Sequence, residues 1–205
     1  MNKGKKIRFQ VLTTGAMLLL TLQGFNYAHA AQIPDQQSTT AKPAEIKQDG
    51  SAATAEKSTS ALLESGLSNL LGGESPEERE KGLNQIILAA ELGDFEAQTT
   101  LARIYSDGKY VVQDETRTVY WYRVAAEHGE AGSQAQLAYR YRDGIGVIQD
   151  SVLAHMWANI SAGNGSKAGL VLRDELSAEM TKGQLANAQQ LARKCVAQKY
   201  KNCGT

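Results

Sequence analysis

The chain has 205 residues, with 22 Lys and Arg against 22 Asp and Glu, three prolines and two cysteines. That length allows one or two compact domains with a sizeable core; two cysteines exclude a disulfide-dense miniature scaffold, and the lack of proline after Pro76 argues against a turn-rich β-sandwich. Lys3, Lys5, Lys6 and Arg8 stand in the first 30 residues without an acid, which leaves 18 cations against 22 acids beyond them; a nucleic-acid partner is not expected, because non-specific binding needs Lys and Arg to displace counterions from phosphates.

Residues 1–30 read as an export signal. A basic MNKGKKIRFQ precedes the apolar VLTTGAMLLLTLQGF, and Ala28-His29-Ala30 is a small-x-small cleavage pattern. A spanning helix needs about 20 apolar residues, so the reading is cleavage after Ala30, with an uncleaved anchor as the alternative. No cysteine follows to carry a lipid. The mature protein is expected in the periplasm or outside the cell, without a stable membrane span. Residues 31–60, rich in Ala, Ser, Thr, Gln, Lys and Pro, bury too little apolar area to offset their ordering entropy and read as a disordered linker. Residues 61–93 read as degenerate cap helices. The first is a short amphipathic helix through Leu62, Leu63, Leu67, Leu70 and Leu71, stopped by two glycines. The second opens at Ser75-Pro76-Glu77-Glu78, a capping box with proline at the first helical position, and runs to Leu92.

From there the chain repeats every 36 residues. Gly93 recurs as Gly129 and Gly165, and Ala90 as Ala126 and Ala162. Leu101, Ala102, Tyr105, Gly108, Val111, Asp114 and Trp121 recur as Leu137, Ala138, Tyr141, Gly144, Val147, Asp150 and Trp157. Two full units, 94–129 and 130–165, each read as helix, glycine loop, helix. Ala97, Leu101, Ala102 and Tyr105 form one apolar stripe, Gly108 is placed for a left-handed C-cap, and Asp114 and Asp150 are placed as N-caps. Val119, Tyr122, Ala125 and Ala126 point the second helix inward. One helix pair cannot bury both faces, so the expected fold is an all-α solenoid, a right-handed stack of helix-turn-helix units. Residues 166–205 read as a divergent C-terminal helix pair and tail, the last helix opened by a capping box at Thr181-Lys182-Gly183-Gln184.

The run LARIYSDGKYVVQDETRTVYWYRVAAEHGEAGSQAQLAYRYRDGIGVIQDSVLAHMWANISAG resembles the Sel-1-like repeat, a relative of the tetratricopeptide repeats. The departures are local: Tyr110 stands where the second unit has the loop glycine Gly146, Thr118 where it has the small Ala154, and Ala158 follows Trp157 where the first unit has Trp121-Tyr122. The resemblance covers about 75–195 and implies an adaptor or regulator in signalling, envelope or host-interaction processes.

Chemistry is sparse. The histidines His29, His128 and His155 have no metal-ligand spacing, and His128 reads as a cation complementing a helix C-terminus. Ser106-Asp107-Gly108-Lys109 is the one place where a serine has a lysine three residues on, the spacing a serine β-lactamase requires, but it falls on the repeat's own glycine loop, and no Gly-x-Ser-x-Gly, phosphate loop or His-Glu-x-x-His occurs. Neither an enzyme nor a cofactor is expected. The acids Glu77, Glu78, Asp174 and Glu175 read as solvated helix charges. Cys195 and Cys203 could form a disulfide, which would add about 2–3 kcal/mol by loop closure, or remain free thiols. Loss of the bond should loosen only the C-terminal helix, because solenoid contacts run between neighbours. Lys182, Arg193, Lys194, Lys199 and Lys201 stand near them with no acid after Glu179; they complement a helix end or face an anionic envelope surface.

The functional expectation is a non-enzymatic, exported adaptor that binds a protein or peptide on its concave face, lined by the first helix of each pair. The variable positions there include Thr99, Thr100, Arg103 and Asp107, then Gln136, Tyr139, Arg140, Arg142 and Asp143. Arg and Tyr most often carry interface energy, which singles out Arg103, Tyr139 and Arg140. The rivals are a peptidoglycan or envelope-glycan module that stacks sugars on Tyr110 and Tyr139, and a hydrolase of cell-wall or β-lactam substrates.

Overall fold

The computed structural model describes residues 51–204, and the regular elements among them are eight α-helices. In chain order these are α1 (Ser51–Gly72), α2 (Pro76–Glu91), α3 (Phe95–Asp107), α4 (Glu115–Glu127), α5 (Ala131–Asp143), α6 (Ser151–Gly163), α7 (Lys167–Glu179) and α8 (Lys182–Ala197). The signal, its cleavage site at Ala30 and residues 31–50 of the linker lie outside the described residues. α1 begins at Ser51 rather than 61, so the last ten residues read as linker are helical. Ala52, Ala53 and Ala55 are strong helix formers, and Thr59 lies on the face that buries Leu63 and Leu70.

Side-chain caps set the helix starts. Ser75 accepts from the Glu78 N–H while Glu78 reaches back to the Ser75 N–H, a complete capping box with Pro76 in the first turn. Thr181 and Gln184 repeat the arrangement at α8. Asp114 and Asp150 cap α4 and α6, satisfying N–H groups that no helical carbonyl can reach. Gly108 and Gly144 end α3 and α5 in the left-handed region, at φ 63° and 70°.

The helices stack as an α-α solenoid in which α1 to α7 each pack on their sequence neighbours, whereas α8 packs on α6. α1 and α2 cross closely because glycines face each other: a Cβ on Gly82 would lie 2.6 Å from the Gly66 carbonyl oxygen, and one on Gly66 would lie 2.7 Å from Ile86 Cγ1. The apolar stripes fill two buried clusters. One joins Leu63, Ile86, Ala89, Ala97, Leu101 and Tyr105 of α1–α3. The other runs from α3 to the tail through Leu137, Tyr141, Met156, Trp157 and Leu172. Trp121 packs against both.

Two buried glutamines hold successive units together. Gln98 Nε2 donates to the Ala90 carbonyl at 3.1 Å, and 36 residues on, Gln134 Nε2 donates to the Ala126 carbonyl at 3.1 Å. Each amide thus satisfies a carbonyl in the last turn of the preceding helix. Their oxygens then accept: Gln134 Oε1 from Asn164 Nδ2 at 2.9 Å, with Tyr200 donating on to Asn164 Oδ1 at 3.1 Å. Gln98 Oε1 faces His128 Nδ1 at 3.2 Å, so that nitrogen carries the hydrogen. Lost hydration, and then the Lys201 ammonium, lower the His128 pKa. At neutral pH it is therefore a neutral donor to the glutamine, not the cation complementing a helix end that its position suggests.

The C-terminus departs furthest from a simple repeat. α8 packs on α6, which explains why Trp157 is fully buried while Trp121, its counterpart in the first unit, is only partly so. A disulfide joins Cys195 to Cys203 with Cα atoms 5.2 Å apart. It closes a tight return in which Lys199, Tyr200 and Asn202 all have positive φ. The returning strand of chain then reaches α4: Arg123 Nη1 donates to the Cys203 carbonyl at 3.2 Å, and Lys201 Nζ lies 3.7 Å from Glu127 Oε2. Breaking the bond therefore bears on the first repeat as well as on the last helix, because the tail bypasses the neighbour-to-neighbour order of the stack.

Candidate interaction surface

The first helices of successive units lie side by side. α3 and α5 meet through Thr99 and Ser133, whose hydroxyls are 3.0 Å apart, and α5 packs on α7. Their apolar stripes face inward, so the polar positions of α3, α5 and α7 share one surface.

On α3, Arg103 and Asp107 are exposed. Near them is the Tyr122 hydroxyl of α4; burial pushes its pKa up, while the Arg103 and Arg140 guanidinium groups pull the other way. On α5, Arg142 lies over the Tyr139 ring, with its guanidinium carbon 4.9 Å from the centroid. Arg142 also grips Asp143 with two bonds of 2.7 and 2.9 Å and approaches Glu175 of α7 at 3.7 Å. That grip holds the Asp143 carboxyl below its ordinary pKa and raises the pKa of the arginine. The result is a half-buried aromatic ring under a cation, rimmed by two carboxylates. A pre-stacked Arg on Tyr loses little freedom on binding, and these are the side chains that most often carry interface energy.

Arg140 stands apart from the other five. Its side chain is only 11% exposed, and it pairs with Glu115 of α4 while Nη2 donates to Ser106 Oγ of α3 at 2.8 Å. It braces the second unit against the first, and most of its hydrogen-bonding capacity is already used. Glu175, read from sequence as a solvated charge, belongs to the Tyr139–Arg142–Asp143 group. Gln98 and Gln134 were legible as an identical pair at the 36-residue offset, although no apolar or capping pattern marks them. The coupling of Arg140 to Glu115 had no sequence signal, because the partners are 25 residues apart.

The other described histidine is committed to a contact between helices. His155 is buried at the α6–α7 contact, with Nε2 3.0 Å from Ser177 Oγ. That serine donates its only hydrogen to the Arg173 carbonyl at 2.7 Å, so the imidazole must donate through Nε2 and leave Nδ1 bare. Burial, then the Arg173 charge, lowers its pKa, with Asp174 opposing. Among the described residues no group of three or more His, Cys, Asp or Glu could hold a metal ion.

A model of the Sel1 repeat matches residues 95–130 and 131–166. Among solved structures, c5321, a protective antigen present in uropathogenic Escherichia coli strains and displaying an SLR fold, is 30% identical with a TM-score of 0.62. That match covers 73% of this chain and 32% of the antigen, so the chain spans about a third of the antigen's length. A Sel1 repeat protein from Oxalobacter formigenes is 30% identical with a TM-score of 0.54, over 60% of this chain and 94% of that one. No curated protein matches the sequence.

Proposed function

The chain belongs to the Sel1 repeat family, and from that premise we propose that it is an exported adaptor which captures a protein or peptide on the concave surface of α3, α5 and α7. Sel1 repeat proteins are generally protein-interaction scaffolds and generally non-catalytic. The observation that carries the reading is the division of labour within each unit. Ala97, Leu101, Ala102 and Tyr105, like their counterparts 36 residues on, are consumed by stacking, which leaves recognition to the variable polar positions beside them. Arg103 and Asp107 form one contact point. Tyr139, Arg142 and Asp143 form the other. Arg140 acts by holding α5 against α3 and α4.

Export rests on the basic-then-apolar N-terminus with its Ala28-His29-Ala30 site, supported by a disulfide of the kind that persists in oxidising compartments. Among the described residues no helix is long and apolar enough to cross a membrane.

The test is crosslinking and pull-down from the envelope fraction, comparing the native chain with the double variant Arg103→Ala/Tyr139→Ala. Arg103 is exposed and Tyr139 half-buried against the core, so helical circular dichroism checks the fold of the variant, and capture should weaken by about 1 kcal/mol or more for each true hot spot. A partner recovered equally by both forms would place recognition elsewhere on the molecule. Retention of peptidoglycan alone would favour a wall-binding module, and turnover of a cell-wall or β-lactam substrate would favour an enzyme.

A further inference from the structure

The two ends of the solenoid carry opposite charge. Residues 56–92, which include α2 and most of α1, hold seven acids and three bases; residues 167–204, covering α7, α8 and the tail, hold seven bases and three acids. The ends also retain apolar surface that a finished solenoid would cover. Of the ten large exposed apolar side chains among the described residues, six are at the ends: Leu71, Leu88 and Leu92 on or capping α1 and α2, and Leu170, Val171 and Val196 on α7 and α8. Terminal repeats of a soluble solenoid ordinarily present a polar outer face.

Each end has a groove that combines both features. At the acidic end Glu77, Glu80 and Leu88, with one base, Lys81, border a groove of about 400 Å³ on α2. At the basic end Arg193, Val196 and Tyr200 border one of about 450 Å³ between α6 and α8. Among the described residues no acid forms an ion pair with Arg193 or Lys194, whereas Lys201 is paired with Glu127.

We propose that the occupant of each end is the opposite end of a second copy of this chain, so that molecules associate head to tail. Charge complementarity orients the encounter, and the exposed Leu and Val side chains then continue across the junction the stacking that buries their counterparts inside the chain. Such a contact uses two different surfaces. It leaves one acidic and one basic end free, and it extends without closing on itself.

The test is sedimentation of the full chain, as isolated, across a concentration series at low and high salt. At low salt the weight-average mass should rise past that of a dimer. At 0.5–1 M salt, where screening acts over only ~3–4 Å, the chain should revert to monomer. Glu77→Gln/Glu80→Gln and Arg193→Gln/Lys194→Gln should each weaken self-association about tenfold with unchanged helical circular dichroism. Mixed, the two variants retain one competent end each and should form a one-to-one dimer and nothing larger. A native chain that stays monomeric at low salt, as it would if its own residues 31–50 covered an end, overturns the proposal. So does a mass that stops at a dimer, or association that salt does not weaken.

Discussion

Replacing Arg140 with alanine tests whether the units are locked by side chains as well as by apolar stacking. The arginine is 11% exposed and its partner Glu115 is 28% exposed, so the pair is shielded from most solvent screening. A second bond runs to Ser106 Oγ at 2.8 Å. A hydrogen bond involving a charged group contributes about 1.5–3 kcal/mol when both partners are buried. Here Glu115 keeps its bond from Gln113 Nε2 at 3.0 Å and regains water when the arginine leaves, so most of one such bond is recovered. The net cost of Arg140→Ala should be about 2 kcal/mol, a fall in Tm of about 4–8 °C for a domain of this size. Urea unfolding of Arg140→Ala, Glu115→Gln and the double variant should give a coupling of about 1 kcal/mol. A single-variant cost below about 0.5 kcal/mol, with no coupling, would refute the brace and return Arg140 to the pool of free surface cations.

Gly146 sits at φ 72° with its α-carbon against the Glu115 carbonyl, where a Cβ would overlap that oxygen. Gly146→Ala should therefore cost about 2 kcal/mol or more in urea unfolding, and a loss below 0.5 kcal/mol would show that the loop can move aside. Reducing the disulfide should lower stability by about 2–3 kcal/mol. Amide exchange should rise in the last turns of α4 as well as in α8, and a change confined to α8 would show that the tail does not brace the first unit. Because His155 has its pKa lowered in the folded state, it is neutral in both states above ~6.5, and below that the unfolded chain takes up the proton first. Thermal stability should therefore fall as pH drops from about 6.5 toward 5, and His155→Gln should flatten that slope. A slope that the substitution leaves unchanged would exclude the imidazole as its source.

How much of this protein is written locally can be judged residue by residue. Ser75, Asp114, Asp150 and Thr181 act as caps because the atoms they satisfy are two or three residues away. Gly108 and Gly144 end their helices through their own backbone freedom, and the 36-residue register specifies the stacking because it copies one apolar stripe onto the next. The start of α1 at Ser51 is not legible locally, because propensity alone weighs little until a partner helix covers the Thr59–Leu63–Leu70 face. Tertiary structure alone decided the rest. It committed Arg140 to Glu115 and Ser106, joined Glu175 to Arg142, turned His128 into a neutral donor to Gln98, and carried the tail back to Arg123 across 80 residues. Caps and stripes are properties of one turn of chain and its neighbours, whereas an ion pair or a docked tail depends on distances that exist only once the helices have stacked.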